Sequence, residues 1–175
     1  MIKNIQKTLK YRVTYLEMDN RPNFDWPKNL KHKLSILLAE SFPAWYFLFF
    51  YKQVGKDYYW TDWLRKSEDE IDEFVNDKNV LLYTLIKDGW PVGFYMLDYR
   101  KKDICDLSFF GLVDEVIGIG LGKYLLQTAI LTAWDSKKIK KLTVNTCSLD
   151  HKSAIYLYQR YGFKTVKYKE LEKRV

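Results

Sequence analysis

The sequence has few cysteines and no apolar run long enough to cross a membrane. Its 175 residues include only two cysteines, Cys105 and Cys147, which are too few for a disulfide framework and favour a reducing compartment. The most apolar run, FPAWYFLFFY at residues 42–51, is shorter than the ~20 residues of a membrane-spanning helix. The opening residues, MIKNIQKTLKYR, lack the apolar centre of a signal peptide. We therefore expect a cytoplasmic protein without a membrane anchor, in which both cysteines are small buried side chains.

Linkers, internal repeats and low-complexity segments are also missing from the sequence. A chain of this length can bury roughly two-thirds of its unfolded surface, so it needs no disulfide or metal to stabilise its core. We therefore expect one domain over residues 1–175.

Acidic residues are fewer than basic ones, with 22 Asp and Glu against 29 Lys and Arg and a formal net charge of +7. This surplus suits an anionic partner such as nucleic acid, an acidic lipid surface or a phosphorylated cofactor, and composition does not choose among them. Lysine runs such as YRKK and SKKIKK are typical of solvated faces.

The hydrophobic pattern of the first half predicts a strand, then helices, then a hairpin. YRVTYLEM alternates as a strand does, and residues 31–51 favour a helix that is interrupted at Pro43. Ser67 and Glu70 have the spacing of a capping box at the start of a helix. Two β-rich runs joined around Asp88 and Gly89 predict a hairpin within residues 80–100.

The second half predicts strands that alternate with helices. ICDLSFFGLV is apolar enough for a strand buried on both faces, and KLTVNTCSL and FKTVKYKE predict two more strands. Asp150 is the expected cap of a helix that ends at Tyr161, with Gly162 in the left-handed stop position. An apolar stripe predicts a core-facing helix and consists of Leu121, Leu125, Leu126, Ala129, Ile130, Ala133 and Trp134. Together these elements predict a mixed sheet with helices packed on it.

Three glycines, Gly118, Gly120 and Gly122, lie between a predicted strand and a predicted helix in FFGLVDEVIGIGLGKYLL. Such a turn can hold a phosphate, because glycines let backbone amides approach and a helix N-terminus favours anions. The nucleotide P-loop pattern fails at both ends, and Lys123 stands where a dinucleotide fingerprint needs its third glycine. The alternative is a helix start that binds nothing, although three glycines cost a helix about 1 kcal/mol each.

The segment DHKSAIYLYQRYGF, residues 150–163, resembles the Asn-x-x-Ala…Leu-Tyr-x-x-x-Gly-Phe signature of the GNAT N-acetyltransferase superfamily. IGIGLG then aligns with the family's pyrophosphate motif, Gln/Arg-x-x-Gly-x-Gly/Ala. The resemblance covers Val92–Tyr168 well, and the longer wording is also similar to an uncharacterised bacterial GNAT group. Two positions depart from the pattern, since Ile117 replaces the first Gln or Arg and His151 replaces the Asn.

The resemblance implies an α+β (α/β) fold with a mixed, mostly antiparallel central sheet and flanking helices. Residues 91–175 would form a β-α-β-α-β acetyl-CoA-binding half, and residues 1–90 would supply a strand, helices and an acceptor-site lid. Acetyl-CoA would be the co-substrate without a metal, and the acceptor would be an amine of a small molecule or peptide. We expect no membrane and no nucleic-acid partner, and the resemblance leaves a homodimer open.

The resemblance also implies roles for individual residues. Tyr158 would be the general acid for the departing thiolate, and Asp106 would be the base or would act through water, with an interstrand polar pair as its alternative role. Alternation places Asp106, Ser108 and Phe110 on one face of their strand. The expected cofactor-binding residues are Phe110, Gly111, Leu112, Ile117, Gly118, Ile119, Gly120, Leu121, Gly122, Lys123 and His151. The expected substrate-binding residues are Tyr58, Tyr59, Trp60 and Asp62, which could equally belong to the core.

Two other functions remain open at this stage. One is a catalytically silent acyl-CoA-binding or regulatory domain, which Ile117 and Ile119 in the glycine segment would allow. The other is a basic nucleic-acid-binding module, which would bind duplexes with a steep salt dependence.

Overall fold

The computed structural model describes residues 8–28 and 32–174. The expectation about a signal peptide and the start of the predicted helix at Lys31 concern residues that are wholly or partly outside this range. The described strands are β1 (Thr8–Met18), β2 (Leu34–Ala39), β3 (Val80–Lys87), β4 (Trp90–Asp98), β5 (Ile104–Leu112), β6 (Lys141–Cys147) and β7 (Lys164–Arg174). The described α-helices are α1 (Ala44–Gly55), α2 (Glu68–Val75), α3 (Leu121–Ser136) and α4 (Ala154–Arg160).

The strands form one sheet in the order β2-β3-β4-β5-β6-β1-β7. All neighbouring strands are antiparallel except β5 and β6, which are parallel. This confirms the predicted mixed, mostly antiparallel sheet, and the chain order β5-α3-β6-α4-β7 is the predicted β-α-β-α-β arrangement. None of the helices in the described ranges has the length and apolar character of a membrane-spanning segment.

Two apolar clusters pack on opposite faces of the sheet. One face carries α3, whose predicted stripe is buried from Leu121 to Ala133, with Trp134 partly buried beside it. The other face carries α1 and α2, and there Phe47 and Phe50 are fully buried against strands β3 and β4. The predicted capping box of α2 is also present, because Ser67 accepts from the Glu70 amide and Glu70 accepts from the Ser67 amide.

The first strand takes a position that the chain order does not suggest. β1 lies between β6 and β7 and is antiparallel to both, so residues 8–18 pair with residues 142–147 and 164–174. This placement puts the side chains of β1 next to those of β6 in the middle of the sheet. The N-terminal strand therefore contributes to the same region as the second half of the chain.

Three expectations about local structure were wrong. Residues Leu34–Ala39 form a strand rather than the start of a helix, because they pair with β3 from Leu34↔Lys87 to Ala39↔Leu82. A short apolar run fits a strand or a helix, and tertiary pairing decides between them. Helix α4 begins at Ala154 rather than just after Asp150, although the expected left-handed conformation of Gly162 beyond its end is confirmed by a φ of +100°. Finally, β5 is fully buried only at Cys105 and Leu107, and the rest of the strand is half-exposed.

Candidate functional site

Strands β5 and β6 separate partway along their length. Their parallel pairing covers only residues 104–106 of β5 and residues 141–143 of β6. Beyond this point β5 remains paired with β4 up to Leu112, and β6 remains paired with β1 up to Cys147. The separation opens the middle of the sheet, and this explains why the outer half of β5 is not buried on both faces.

A β-bulge reverses the alternation of β5. Met96 of β4 faces Phe109, and the next residue, Leu97, faces Leu107, so Ser108 has no partner across the pair. A single extra residue of this kind shifts all the following side chains to the opposite face.

The consequence is a correction to the expected faces of β5. Phe109 packs against Phe47 on the α1 side, with ring centroids 5.1 Å apart. Phe110 packs against Tyr158 on the α3 and α4 side, with ring centroids 6.1 Å apart. Asp106 therefore does not share a face with Phe110, although it does share one with Ser108.

The separated part of β5 has backbone amides that are not used by β4. The Val113 amide donates to the Val92 carbonyl at 2.9 Å. Because successive residues of a strand direct their amides to alternate sides, the amides of Phe110 and Leu112 point into the opening. The same alternation directs the amide of Gly111 towards β4.

Gly111 matters for the space that it leaves to helix α1. A Cβ at this position would lie 2.2 Å from Cγ1 of Val54. Glycine therefore allows α1 to pack directly on the strand at the opening.

The glycine segment forms a turn with an open helix N-terminus. Gly118 and Gly120 have φ of +88° and +90°, and no atom would contact a Cβ at either position. Gly120 is the N-cap of α3, which has no side-chain cap and no acidic residue in its first turn. Helix α2, in contrast, closes its N-terminus with Ser67 and has three acidic residues there. The first amides of α3 are therefore free to hold an anion.

A cavity of about 440 Å³ runs along the opening from this turn to the inner part of α4. Most of the expected cofactor-binding residues line it, namely Phe110, Gly111, Leu112, Ile117, Gly118, Gly120, Gly122, Lys123 and His151. Two of the expected residues do not line the first cavity. The side chain of Ile119 is 48% exposed to solvent, and that of Leu121 is buried in the core.

Tyr158 lies at the inner end of the first cavity and is buried. Its ring contacts Phe110 and Phe163 at centroid distances of 6.1 and 5.9 Å. Burial raises the pKa of Tyr158, and the charge of Asp150 raises it further. No described residue hydrogen-bonds to the hydroxyl, which therefore stays protonated and available as a donor.

A second cavity, of about 250 Å³, adjoins the first on the α1 side of the sheet. All four expected substrate-binding residues line it, namely Tyr58, Tyr59, Trp60 and Asp62. Six residues line both cavities, and we call this set the junction: Tyr58, Trp60, Ser108, Phe109, Asn145 and Asp150. Two molecules bound in the two cavities would meet at the junction.

Asp150 links the end of β6 to Trp60 through hydrogen bonds. Its Oδ2 accepts from the Cys147 amide at 2.7 Å and from the Thr146 hydroxyl at 2.9 Å. Its Oδ1 accepts from the indole Nε1 of Trp60 at 3.1 Å. The sequence indicated only a helix cap at this position, because the contact with Trp60 joins residues that are 90 positions apart.

Lys173 of β7 holds the segment at residues 56–65, which we call the lid segment. Its Nζ donates to the Tyr59 carbonyl at 2.8 Å and to Asp62 Oδ2 at 2.9 Å. The Lys173 side chain is only 11% exposed, and it lines the second cavity. Sequence reasoning missed this residue, because it resembles the other lysines of the basic C-terminal strand.

Asp106 lines neither of these cavities. It lines a third cavity of about 490 Å³, to which Asn145 also belongs. Its carboxylate accepts from the Thr143 hydroxyl across β5 and β6 at 2.5 Å and from the Ser108 hydroxyl at 2.8 Å. Asp106 thus forms the interstrand polar pair that was its alternative role, and its hydrogen bond with Ser108 connects it to the junction.

The two cysteines differ in their surroundings. Cys105 is buried, as expected, whereas Cys147 is only half-buried and lines the second cavity. Burial raises the pKa of the Cys147 thiol to about 11. No group of three or more His, Cys, Asp or Glu side chains within residues 8–28 and 32–174 is placed to hold a metal ion.

Comparisons with known proteins agree with this architecture. The family model of the acetyltransferase (GNAT) family matches residues 39–163. A GNAT family acetyltransferase from Elizabethkingia anophelis, solved with acetyl-CoA bound, has 22% identity and a TM-score of 0.56, and the match covers 77% of this chain and 78% of that one. A GCN5-related N-acetyltransferase from Kribbella flavida has 14% identity and a TM-score of 0.62. This match covers 92% of this chain and 56% of that one.

A conserved protein of unknown function from Staphylococcus epidermidis also has the same fold. Its TM-score is 0.64 at 14% identity, and the match covers 95% of this chain and 63% of that one. The chain therefore spans less than two thirds of the Staphylococcus and Kribbella structures. A comparison with curated proteins finds no match. Because the family model covers most of the chain and the fold agrees, the chain belongs to the GNAT acetyltransferase family.

Proposed function

We propose that the protein is an acetyl-CoA-dependent N-acetyltransferase that moves an acetyl group to a primary amine of a small molecule or peptide. The observation that carries this proposal is the junction, where a long cavity with an open helix N-terminus meets a second cavity under the lid segment. The amine would attack the thioester directly while both molecules are bound.

Acetyl-CoA fits the first cavity by the chemistry of its lining. The free amides at Gly118–Lys123 and the Lys123 side chain would hold the pyrophosphate. The amides of Phe110 and Leu112 would pair with the pantetheine arm as an added strand does. His151 lines the same cavity and is a further contact for the arm. The acetyl-CoA-bound relative from Elizabethkingia anophelis supports this assignment.

The amine has to lose a proton before it can attack, because an alkylammonium with a pKa near 10.4 is only one part in ~10³ free base at pH 7. Ser108 lines the junction, and its hydroxyl donates to Asp106 at 2.8 Å. The proton would pass to the Ser108 oxygen as the Ser108 proton moves to Asp106, which releases it to solvent.

The free amine then attacks the acetyl carbonyl, a C–N bond forms and the C–S bond breaks. A backbone amide within residues 110–112, at the opening of the sheet, would stabilise the oxyanion. Tyr158 would protonate the departing thiolate and recover a proton from the nitrogen. The products are the N-acetylated amine and free CoA, with one proton released overall.

Calorimetry with acetyl-CoA, followed by thiol release with a panel of primary amines, tests the proposal. We expect saturable binding and amine-dependent release of CoA. Binding without turnover for every amine would instead indicate a silent acyl-CoA-binding domain. Absence of acetyl-CoA binding would refute both functions, and salt-dependent duplex binding would then favour a nucleic-acid module.

A further inference from the structure

We propose that Asp150 binds the ammonium group of the acceptor at the junction, and that this residue makes the enzyme selective for cationic amines. The inference rests on the proposed function, since it names the substrate class of the same site. It differs from the sequence-based expectation, in which Asp150 only capped a helix.

The position of Asp150 is the first support. Among the described residues it is the only carboxylate that lines both the first and the second cavity. Asp62 lines only the second cavity, and Asp106 lines only the third. A carboxylate that binds the attacking nitrogen has to lie where the two bound molecules meet, and Asp150 meets this requirement.

The charges around the cavities are the second support. Asp62 is neutralised by Lys173 at 2.9 Å. All three hydrogen-bond partners of Asp150 are uncharged, namely an indole, a hydroxyl and a backbone amide. Within the described ranges no basic side chain is bonded to Asp150, and a carboxylate without an ionic partner beside a cavity favours a cationic ligand.

The carboxylate also has room for one more donor. A carboxylate offers about four acceptor positions, and three of those of Asp150 are filled. Oδ2 accepts two hydrogen bonds and Oδ1 accepts only the one from Trp60. The remaining position is on Oδ1, the oxygen that is already directed towards the lid segment, where an ammonium N–H can donate to it.

Aromatic side chains at the junction suit the same group. Tyr58, Trp60 and Phe109 line both cavities with Asp150. Ring faces attract an ammonium and also contact the apolar carbons next to it. With one N–H on Asp150, another N–H is available to Ser108, which starts the proton transfer proposed above.

The test compares two primary amines of similar size with the full-length Asp150→Asn variant. One amine is aliphatic and protonated at pH 7, and the other is aromatic and neutral at pH 7. Loss of one charge-assisted hydrogen bond should raise the KM of the aliphatic amine about 10- to 100-fold. The KM of the aromatic amine should change by less than about threefold, since it makes no such bond.

Thr146→Val is the matched control, because it removes the hydroxyl donor to Asp150 Oδ2 and leaves both the carboxylate and the aromatic side chains of the junction. It should change the KM of both amines by the same factor. Calorimetry with acetyl-CoA verifies that each variant is folded and keeps its first cavity.

An equal rise in KM for both amines in Asp150→Asn would overturn the inference and would leave Asp150 with a purely structural role. Direct calorimetric titration of the two amines gives the same comparison without turnover. Selective loss of aliphatic amine binding in Asp150→Asn would support the inference even if no acetyl transfer occurred. The failure of the proposed function and the failure of this inference are therefore distinguishable.

Discussion

The turn before α3 offers a prediction with an internal control. Gly120 has a φ of +90°, and no atom lies within 4 Å of a Cβ built there. Gly89 in the β3–β4 hairpin has a φ of +91° and equally open space, but it lies outside the cavities. Alanine should cause the same backbone strain at both positions, about 1 to 2 kcal/mol. Each variant should therefore lose that much free energy of unfolding, which lowers the Tm by about 2 to 8 °C.

The affinity for acetyl-CoA should separate the two variants. Relief of the strain in Gly120→Ala reorients the amides at the start of α3, and one lost hydrogen bond to a charged phosphate is worth about 1.5 to 3 kcal/mol. The Kd should therefore rise about 10- to 100-fold in Gly120→Ala and remain at the wild-type value in Gly89→Ala.

Calorimetry with acetyl-CoA and chemical denaturation of both variants provide the measurements. If Gly120→Ala loses stability as Gly89→Ala does and keeps its Kd within about twofold, the amides of this turn do not hold the cofactor. In that case the glycines would only shape the start of the helix, which is the alternative that the sequence left open.

Three further predictions concern single side chains near the cavities. Tyr158→Phe should lower kcat about 10²- to 10⁴-fold in steady-state assays. The Tm should not change, because only the unpaired hydroxyl is lost. A decrease in kcat of less than about threefold would exclude Tyr158 as the acid. Gly111→Ala places a Cβ 2.2 Å from Val54 Cγ1 and should lower the free energy of unfolding in urea by about 1 to 3 kcal/mol. Val54→Ala should restore most of this loss, and a double variant no more stable than Gly111→Ala would refute the contact. Burial favours the neutral thiol of Cys147 and raises its pKa to about 11, so only about one thiol in 10³ is ionised at pH 8. Its alkylation by iodoacetamide, followed by mass spectrometry, should rise about tenfold per pH unit up to that pKa, and rapid alkylation at pH 8 would contradict the account.

Local patterns predicted several features of the fold and one side chain of the site correctly. The capping box at Ser67 and the left-handed Gly162 are present because both depend on residues a few positions apart. The stripe from Leu121 predicted helix α3 for the same reason, since a helix buries side chains three and four residues apart. The signature around Tyr158 likewise pointed to a side chain that lines the first cavity.

Long-range pairing decided the features that sequence reasoning missed. Whether β5 contains a bulge at Ser108 depends on its register with β4, and this register moves Phe110 to the face opposite Asp106. The contact between Asp150 and Trp60 similarly requires the lid segment to fold over the end of β6. Neither feature leaves a periodic signal in the residues that form it.

The sequence by itself thus determined the presence of the four described α-helices, though not the first residues of α1 and α4. It also determined most strands, the glycine turn and the family resemblance, because each depends on short spacings along the chain. Only the tertiary structure decided that β1 lies between β6 and β7, that β5 and β6 separate, and that Asp150 rather than Asp106 lines the junction. These outcomes depend on which distant strands form hydrogen bonds with each other. Each strand pairs with the partner against which its side chains pack best in the whole sheet, and the local propensity of a segment does not specify that partner.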